Sequence, residues 1–210
     1  VYVELTARTN FSFLRGASPP EAILQRAAAL GYDAIGIADC DGLYGMVRAL
    51  EEAKKHGVRL VVGCELTLDD PATSTPNGAL SLYVETHAGY TNLCRILTES
   101  HRRHPKGKAR APEVARRDVH GASARNLFAG VPIDFVCEHA EGLWALAHPS
   151  IAWPISDRDL AALARAFGDR LSLSVHRHMD GDDRARVAAA VEMSEKHGVA
   201  ICATNDVRYA

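Results

Sequence analysis

Three carboxylates and one imidazole stand just behind short apolar runs in this 210-residue chain: Asp39, Glu65, Asp206 and His148. Carboxylates and imidazoles that converge on one rim are the groups that hydrolytic metal sites use. The ion lowers the pKa of a bound water and clamps phosphoryl oxygens. Other polar residues share these positions: Thr6, Arg8 and Asn10 behind the first run, Cys40 and Asp41 behind the second, His176 and His178 behind a later one, and Asn205 and Arg208 behind the last. A His-x-His pair on a strand places both rings on one face and chelates one ion. Here that pair is His176-Arg177-His178, while the first run carries Thr6-Ala7-Arg8. A guanidinium at Arg8 would repel a cation. Each candidate also has a purely structural reading. Asp39 and Asp41 suit a turn before Gly42, and Asp206 suits an Asx-turn. Glu65 suits a pair with a rim arginine, His148 a hydrogen-bonded loop, and His176 and His178 a solvated one.

The elements that must position these residues alternate. Strand-like runs at 2–5, 34–38, 59–64, 80–84, 143–147, 170–175 and 199–204 are separated by helical patterns at about 20–30, 43–56, 90–100, 157–167 and 182–197, with one or two short helices expected within 122–139. Ser18-Pro19-Pro20-Glu21 reads as a capping box with Pro at the first helical position. Strand followed by helix, about seven times, predicts parallel strands joined by right-handed crossovers. The strand runs are apolar throughout, as expected when both faces are covered. The first strand leads into Thr6-Ala7-Arg8-Thr9-Asn10, without the glycines that cradle a dinucleotide, so a closed barrel is favoured over an open sheet. In a barrel the chemistry sits at the carboxyl ends of the strands.

Bulk properties bound the function further. The 47% hydrophobic content is ordinary for a globular protein, and with a net charge of −2 nothing global argues for nucleic acid or membrane. No apolar stretch reaches the ~18 residues of a membrane span. Five widely spaced cysteines without Cys-x-x-Cys argue for a reducing, cytoplasmic setting rather than a disulfide framework. The length suits one domain over 1–210. The first residue is Val, so the chain is expected to be a piece of something longer.

Several segments fit one pattern: Glu4-Leu5, Thr9-Asn10-Phe11-Ser12-Phe13-Leu14-Arg15-Gly16-Ala17-Ser18-Pro19, Val62-Gly63-Cys64-Glu65-Leu66, Asn92-Leu93-Cys94-Arg95-Ile96-Leu97-Thr98 and Ala203-Thr204-Asn205-Asp206-Val207. Together they resemble the PHP (polymerase and histidinol phosphatase) domain of the bacterial C-family DNA polymerases, the polymerase III alpha subunits, and within these the error-prone branch. The resemblance implies an α/β fold, a distorted seven-stranded (β/α) TIM-like barrel of PHP type. In active members it implies metal ions at the strand ends and hydrolysis of phosphoesters, in some as a 3′–5′ exonuclease. Carried over by residue, it implies Asp39, Glu65, His148 and Asp206 as the remaining metal ligands, with Zn2+, Mn2+ or Mg2+ as the ion. It implies that Thr6, Arg8, Cys40 and Arg208 stand where ligands have been lost.

That thinned set points first to a domain without a cofactor and without catalysis, one that stabilises an error-prone polymerase used in DNA repair and damage tolerance. Arg8 and Arg208 would then pair with Glu65, Asp39 or Asp206 in place of the ions. A metal-dependent phosphoesterase or 3′–5′ exonuclease is the alternative, and a free-standing PHP-like protein is the third. The partners implied are downstream polymerase domains of the same chain and, through them, DNA. An irregular basic stretch at about 101–118, with Arg102, Arg103, Lys106, Lys108, Arg110, Arg116 and Arg117, could contact DNA phosphates or another domain. It lacks interleaved aromatics, so base stacking is not expected.

Overall fold

The computed structural model describes residues 2–70, 75–103, 130–149, 155–179 and 181–210. The apolar runs form strands β1 (Glu4–Ala7), β2 (Ala34–Cys40), β3 (Arg59–Asp70), β4 (Thr75–Val84), β5 (Val131–Pro132), β6 (Leu143–Ala147), β7 (Leu171–Val175) and β8 (Ala200–Ala203). Between them lie helices α1 (Pro20–Ala29), α2 (Met46–His56), α3 (His87–Arg102), α4 (Ile133–Glu138), α5 (Asp157–Phe167) and α6 (Asp183–His197). One sheet takes the order β1-β2-β3-β4-β6-β7-β8, with short β5 beside the far end of β3.

The sheet is parallel except at β4, which runs antiparallel to both β3 and β6. Here the expected strand–helix alternation fails. A parallel return needs a crossover of a dozen or more residues. Only four residues separate Asp70 from Thr75, so β3 and β4 pair as a hairpin. The same pairing extends β3 well past Cys64, where its apolar run ends.

The sheet curls on itself. Ala38, Tyr83 and Leu146 form a small inner cluster with Leu5, Val61, Trp144 and Cys202, drawn from β1, β2, β3, β4, β6 and β8. Strands so far apart in the sheet order meet only if it curves inward. Tyr83 Oη on β4 also donates to the Leu5 carbonyl of β1 at 2.8 Å. The two edges are joined by loop and side-chain bonds. Arg8 N donates to Val207 O (2.9 Å), Asp206 N to Thr6 Oγ1 (3.0 Å), and Asn205 N to the Glu4 carboxylate (2.9 Å). This is the distorted TIM-like barrel architecture.

Two larger clusters lie outside the curl. Leu24, Ile23 and Ala49 of α1 and α2 pack on Ile35 and Ile37. Leu93, Ile96, Leu160, Leu163 and Phe167 of α3 and α5 pack on Leu66, Leu82 and Leu143. Each such large side chain contributes about 1.5–3 kcal/mol by leaving water. Thr86 and Ser156 cap α3 and α5, accepting from Gly89 N and Asp159 N, each at 3.1 Å. Ser18 does not cap α1: Pro19 occupies that position with its extended backbone, and Ser18 Oγ accepts instead from Ala210 N. Pro20 does open the helix, where a missing N–H costs nothing. Of the short helices expected within 122–139, α4 is described. Helix α3 runs to Arg102, so the basic stretch begins inside it, and Lys106, Lys108, Arg110, Arg116 and Arg117 lie outside the described residues.

Candidate functional site

Register sets the rim. Cys40 pairs with Glu65, Glu65 with Ser81, Ser81 with Leu146, and Ala147 with Leu173. Cys40, Glu65 and Ser81 thus share one level with Leu146 and Ser172, and His148 and Ser174 follow two residues beyond it. Glu65 lies within β3 rather than after it. It reaches the rim because its parallel neighbour β2 ends at Cys40 while the β3–β4 hairpin continues.

Arg8 is the centre of this mouth. Its guanidinium is buried, and its two terminal nitrogens donate to Glu65 Oε2 and Asp206 Oδ1. Arg15 Nη1 reaches the other Glu65 oxygen at 2.6 Å, and Arg208 Nη2 reaches Asp206 Oδ2 at 2.8 Å. Burial alone would raise the pKa of both carboxyls. Arg8 reverses that for each, aided by Arg15 at Glu65 and by Arg208 at Asp206, and both are held well below the usual range. Burial opposes the charge on Arg8, and Glu65 and Asp206 more than offset it. Cys40, 3.8 Å from Glu65, has its thiol pushed up to about 12 by burial and by that carboxylate, so it is not a ready thiolate.

Asp39 stands apart from the arginines. It accepts from Thr9 N (2.7 Å), Thr9 Oγ1 (2.8 Å) and Ser12 Oγ (2.6 Å), while Ser12 Oγ accepts from Cys40 N. These bonds fasten the turn after β1 to the end of β2. Asp41 similarly holds Thr67 N and Oγ1. Thr6 Oγ1 donates to buried Glu4 and accepts from Asp206 N, so it serves the seam. His148 Nε2 lies 2.7 Å from Ser81 Oγ and its Nδ1 lies 2.8 Å from Ser174 Oγ. Burial lowers its pKa to about 4, with Arg8 adding to the effect, so the ring is neutral at pH 7.

The structure therefore brings Arg8, Glu65, Asp206 and Arg208 together, leaves Asp39 on its own turn, and encloses His148 between two serines. Arg102 pairs with Glu99 on α3, and Arg103 closes that helix through its backbone. Thr9, Ser12, Arg15, Ser81 and Ser174 are functional-looking contacts that residue type did not single out. The dense Thr9–Pro19 motif was the available signal for the first three.

A multi-ion cluster does not fit this mouth. Both oxygens of Asp39 and Glu65, and both nitrogens of His148, are engaged by protein donors or hydroxyls, and a guanidinium fills the space between Glu65 and Asp206. Among the described residues, the group with metal-ligand spacing is a different one: His176, His178 and Asp206, with ligand atoms within 4.8 Å of one another.

Comparison with known proteins agrees with the fold. The profile of the PHP domain matches residues 4–178. An error-prone DNA polymerase of Anaeromyxobacter sp. (strain K) is 41% identical over 207 residues, 98% of this chain and 17% of that protein. Error-prone DNA polymerase 2 of Rhizobium meliloti (strain 1021) is 33% identical over 208 residues, and an error-prone DNA polymerase of Xanthomonas oryzae pv. oryzae (strain PXO99A) is 35% identical over 209. These cover 99% and 100% of this chain and again 17% of each relative. The chain thus spans about a sixth of the length of the polymerases it matches. Among solved structures, one described as a metal-dependent phosphoesterase from Bifidobacterium adolescentis superposes with a TM-score of 0.67 at 18% identity, covering 98% of this chain and 87% of that one. An amidohydrolase from Chromobacterium violaceum gives 0.65 at 13%, covering 100% and 88%.

Proposed function

The chain belongs to the PHP domain family, and from that premise we propose that it is the non-catalytic PHP domain of an error-prone DNA polymerase, a scaffold that stabilises the polymerase. The observation that carries this reading is the buried Arg8 fork on Glu65 and Asp206. Two carboxylates that could hold an ion are neutralised by a fixed cation of the protein itself, with Arg15 and Arg208 as outer partners. No water-activating ion is needed to hold the rim: Arg8 and Arg15 take both oxygens of Glu65, and Arg8 takes Oδ1 of Asp206. The identity with error-prone polymerases over nearly the whole chain supports placing these 210 residues as one domain at the start of such a polymerase. Polymerisation, DNA contact and a cytoplasmic role in damage tolerance would then belong to the longer protein.

The test is hydrolysis of a generic phosphoester and of single-stranded DNA 3′ ends by the chain in Mn2+, Zn2+ or Mg2+. The expected result is no turnover above the metal blank. Turnover that disappears in Glu65→Gln would overturn the proposal in favour of the phosphoesterase reading. The fold neighbours and the His176, His178 and Asp206 group favour that second reading. An ion held there would supply Lewis-acid chemistry and an activated water.

A further inference from the structure

We propose that His176, His178 and Asp206 form a site for one borderline transition-metal ion, such as Zn2+ or Co2+, beside the arginine-filled mouth with which it shares Asp206, and gated by Arg208. The sequence places the two histidines at i and i+2 on the extended chain leaving β7. Their side chains accordingly fall on one side, with ring centroids 4.6 Å apart. The neighbouring strand β8 delivers Asp206 to the same place, with His178 Nε2 3.3 Å from its Oδ2. All three ligand atoms lie within 4.8 Å of one another, close enough to fold onto one ion.

The surroundings hold this arrangement. Asp183, in the first turn of α6, accepts from His178 N and Met179 N, both at 2.9 Å, and so pins the loop that carries His178. Arg186 in turn holds Asp183 at 2.6 Å. Such support keeps ligands in place before an ion arrives. Asp206 Oδ1 is committed to Arg8, but Oδ2 faces the histidines and is shared with Arg208. The Arg208 side chain is 55% exposed and has solvent to swing into. It is therefore the competitor that an ion must displace.

The donor set selects the ion. One carboxylate oxygen beside two imidazole nitrogens suits Zn2+, Co2+, Ni2+ or Cu2+, whereas Mg2+ and Ca2+ prefer sites built from oxygen. Nearby Arg8 also disfavours ions that bind by charge alone. Three protein ligands leave a coordination position for water. Occupancy would tie the loop after β7 to the segment after β8.

The test is titration of the metal-free chain with Co2+, read by its visible absorption, with Zn2+ as competitor. One Co2+ per chain is expected, displaced by Zn2+ and indifferent to millimolar Mg2+. His178→Ala, an exposed position whose folding is checked by circular dichroism, should weaken Co2+ binding by about tenfold or more. Arg208→Ala should tighten it. Glu21→Gln, at an exposed pair with Arg48 on α1 and α2, should leave it unchanged. Absence of Co2+ binding, equal binding in His178→Ala, weaker binding in Arg208→Ala, or loss in Glu21→Gln would each overturn the assignment. Phosphoester turnover is read separately, so this site and the scaffold reading stand or fall independently.

Discussion

Arg8 and Glu65 form an ion pair in which only 5% and 4% of the side chains are exposed, and the same guanidinium holds Asp206 with its other arm. Desolvating three charges is costly, and the fork geometry is what offsets it. The first prediction concerns its removal. Arg8→Met leaves two buried carboxylates facing each other and should cost about 3–5 kcal/mol in urea unfolding. Arg8→Lys should recover only part, since an ammonium lacks the planar fork. Arg8→Met combined with Glu65→Gln and Asp206→Asn should be more stable than Arg8→Met alone, because the stranded charges are gone.

The pH dependence should fall in two windows. His148 titrates near 4 when folded, below its ordinary value of 6.5, so the unfolded chain binds its proton first. Stability contributed by the neutral ring is complete above pH 6.5 and declines as pH falls toward about 4, by an amount on the order of 2–3 kcal/mol. Glu65 and Asp206 are depressed, so their contribution is complete above about 4.5 and is lost only as pH falls below it. Urea midpoints from pH 8 to pH 3 should show both phases, and His148→Gln should flatten only the upper one.

Asp39 should behave as a fastener. Asp39→Ala strips three acceptor contacts from the turn at Thr9 and Ser12, at a cost of about 1–3 kcal/mol. Amide exchange should accelerate in residues 9–16, while exchange in α5 is unchanged.

Gly89 should not tolerate a side chain. A Cβ there would lie 1.8 Å from the Gly142 carbonyl oxygen, which also accepts from Glu85 N and Thr86 N. Gly89→Ala should push α3 away from the turn before β6 and destabilise by about 2 kcal/mol or more, measured by thermal unfolding.

Residue type and position picked out Asp39, Glu65, His148, Asp206, Arg8 and Arg208, because strand ends are legible as the places where apolar runs stop. Pairing among them was not legible. Arg8 could face any of three carboxylates, and the choice of Glu65 and Asp206 over Asp39 follows from Thr9 and Ser12 saturating Asp39 first. Arg15 was hidden because its approach to Glu65 depends on the path of the turn after β1. The direction of β4 was equally hidden, since an apolar run carries no arrow. The meeting of His178 with Asp206 needed the β7–β8 pairing, a contact across 28 positions.

The seam between β1 and the segment after β8 has a kinetic consequence. Its bonds join residues about two hundred positions apart: 198 for Arg8 with Asp206, 200 for Thr6 with Asp206, and 201 for Glu4 with Asn205. Contacts of such separation form only after most of the chain has lost its freedom, so they belong late on the folding path. Substitutions at the seam should leave the refolding rate nearly unchanged and appear almost wholly as faster unfolding. The arginine fork is in that sense a latch, setting how long the barrel stays shut rather than how quickly it is built.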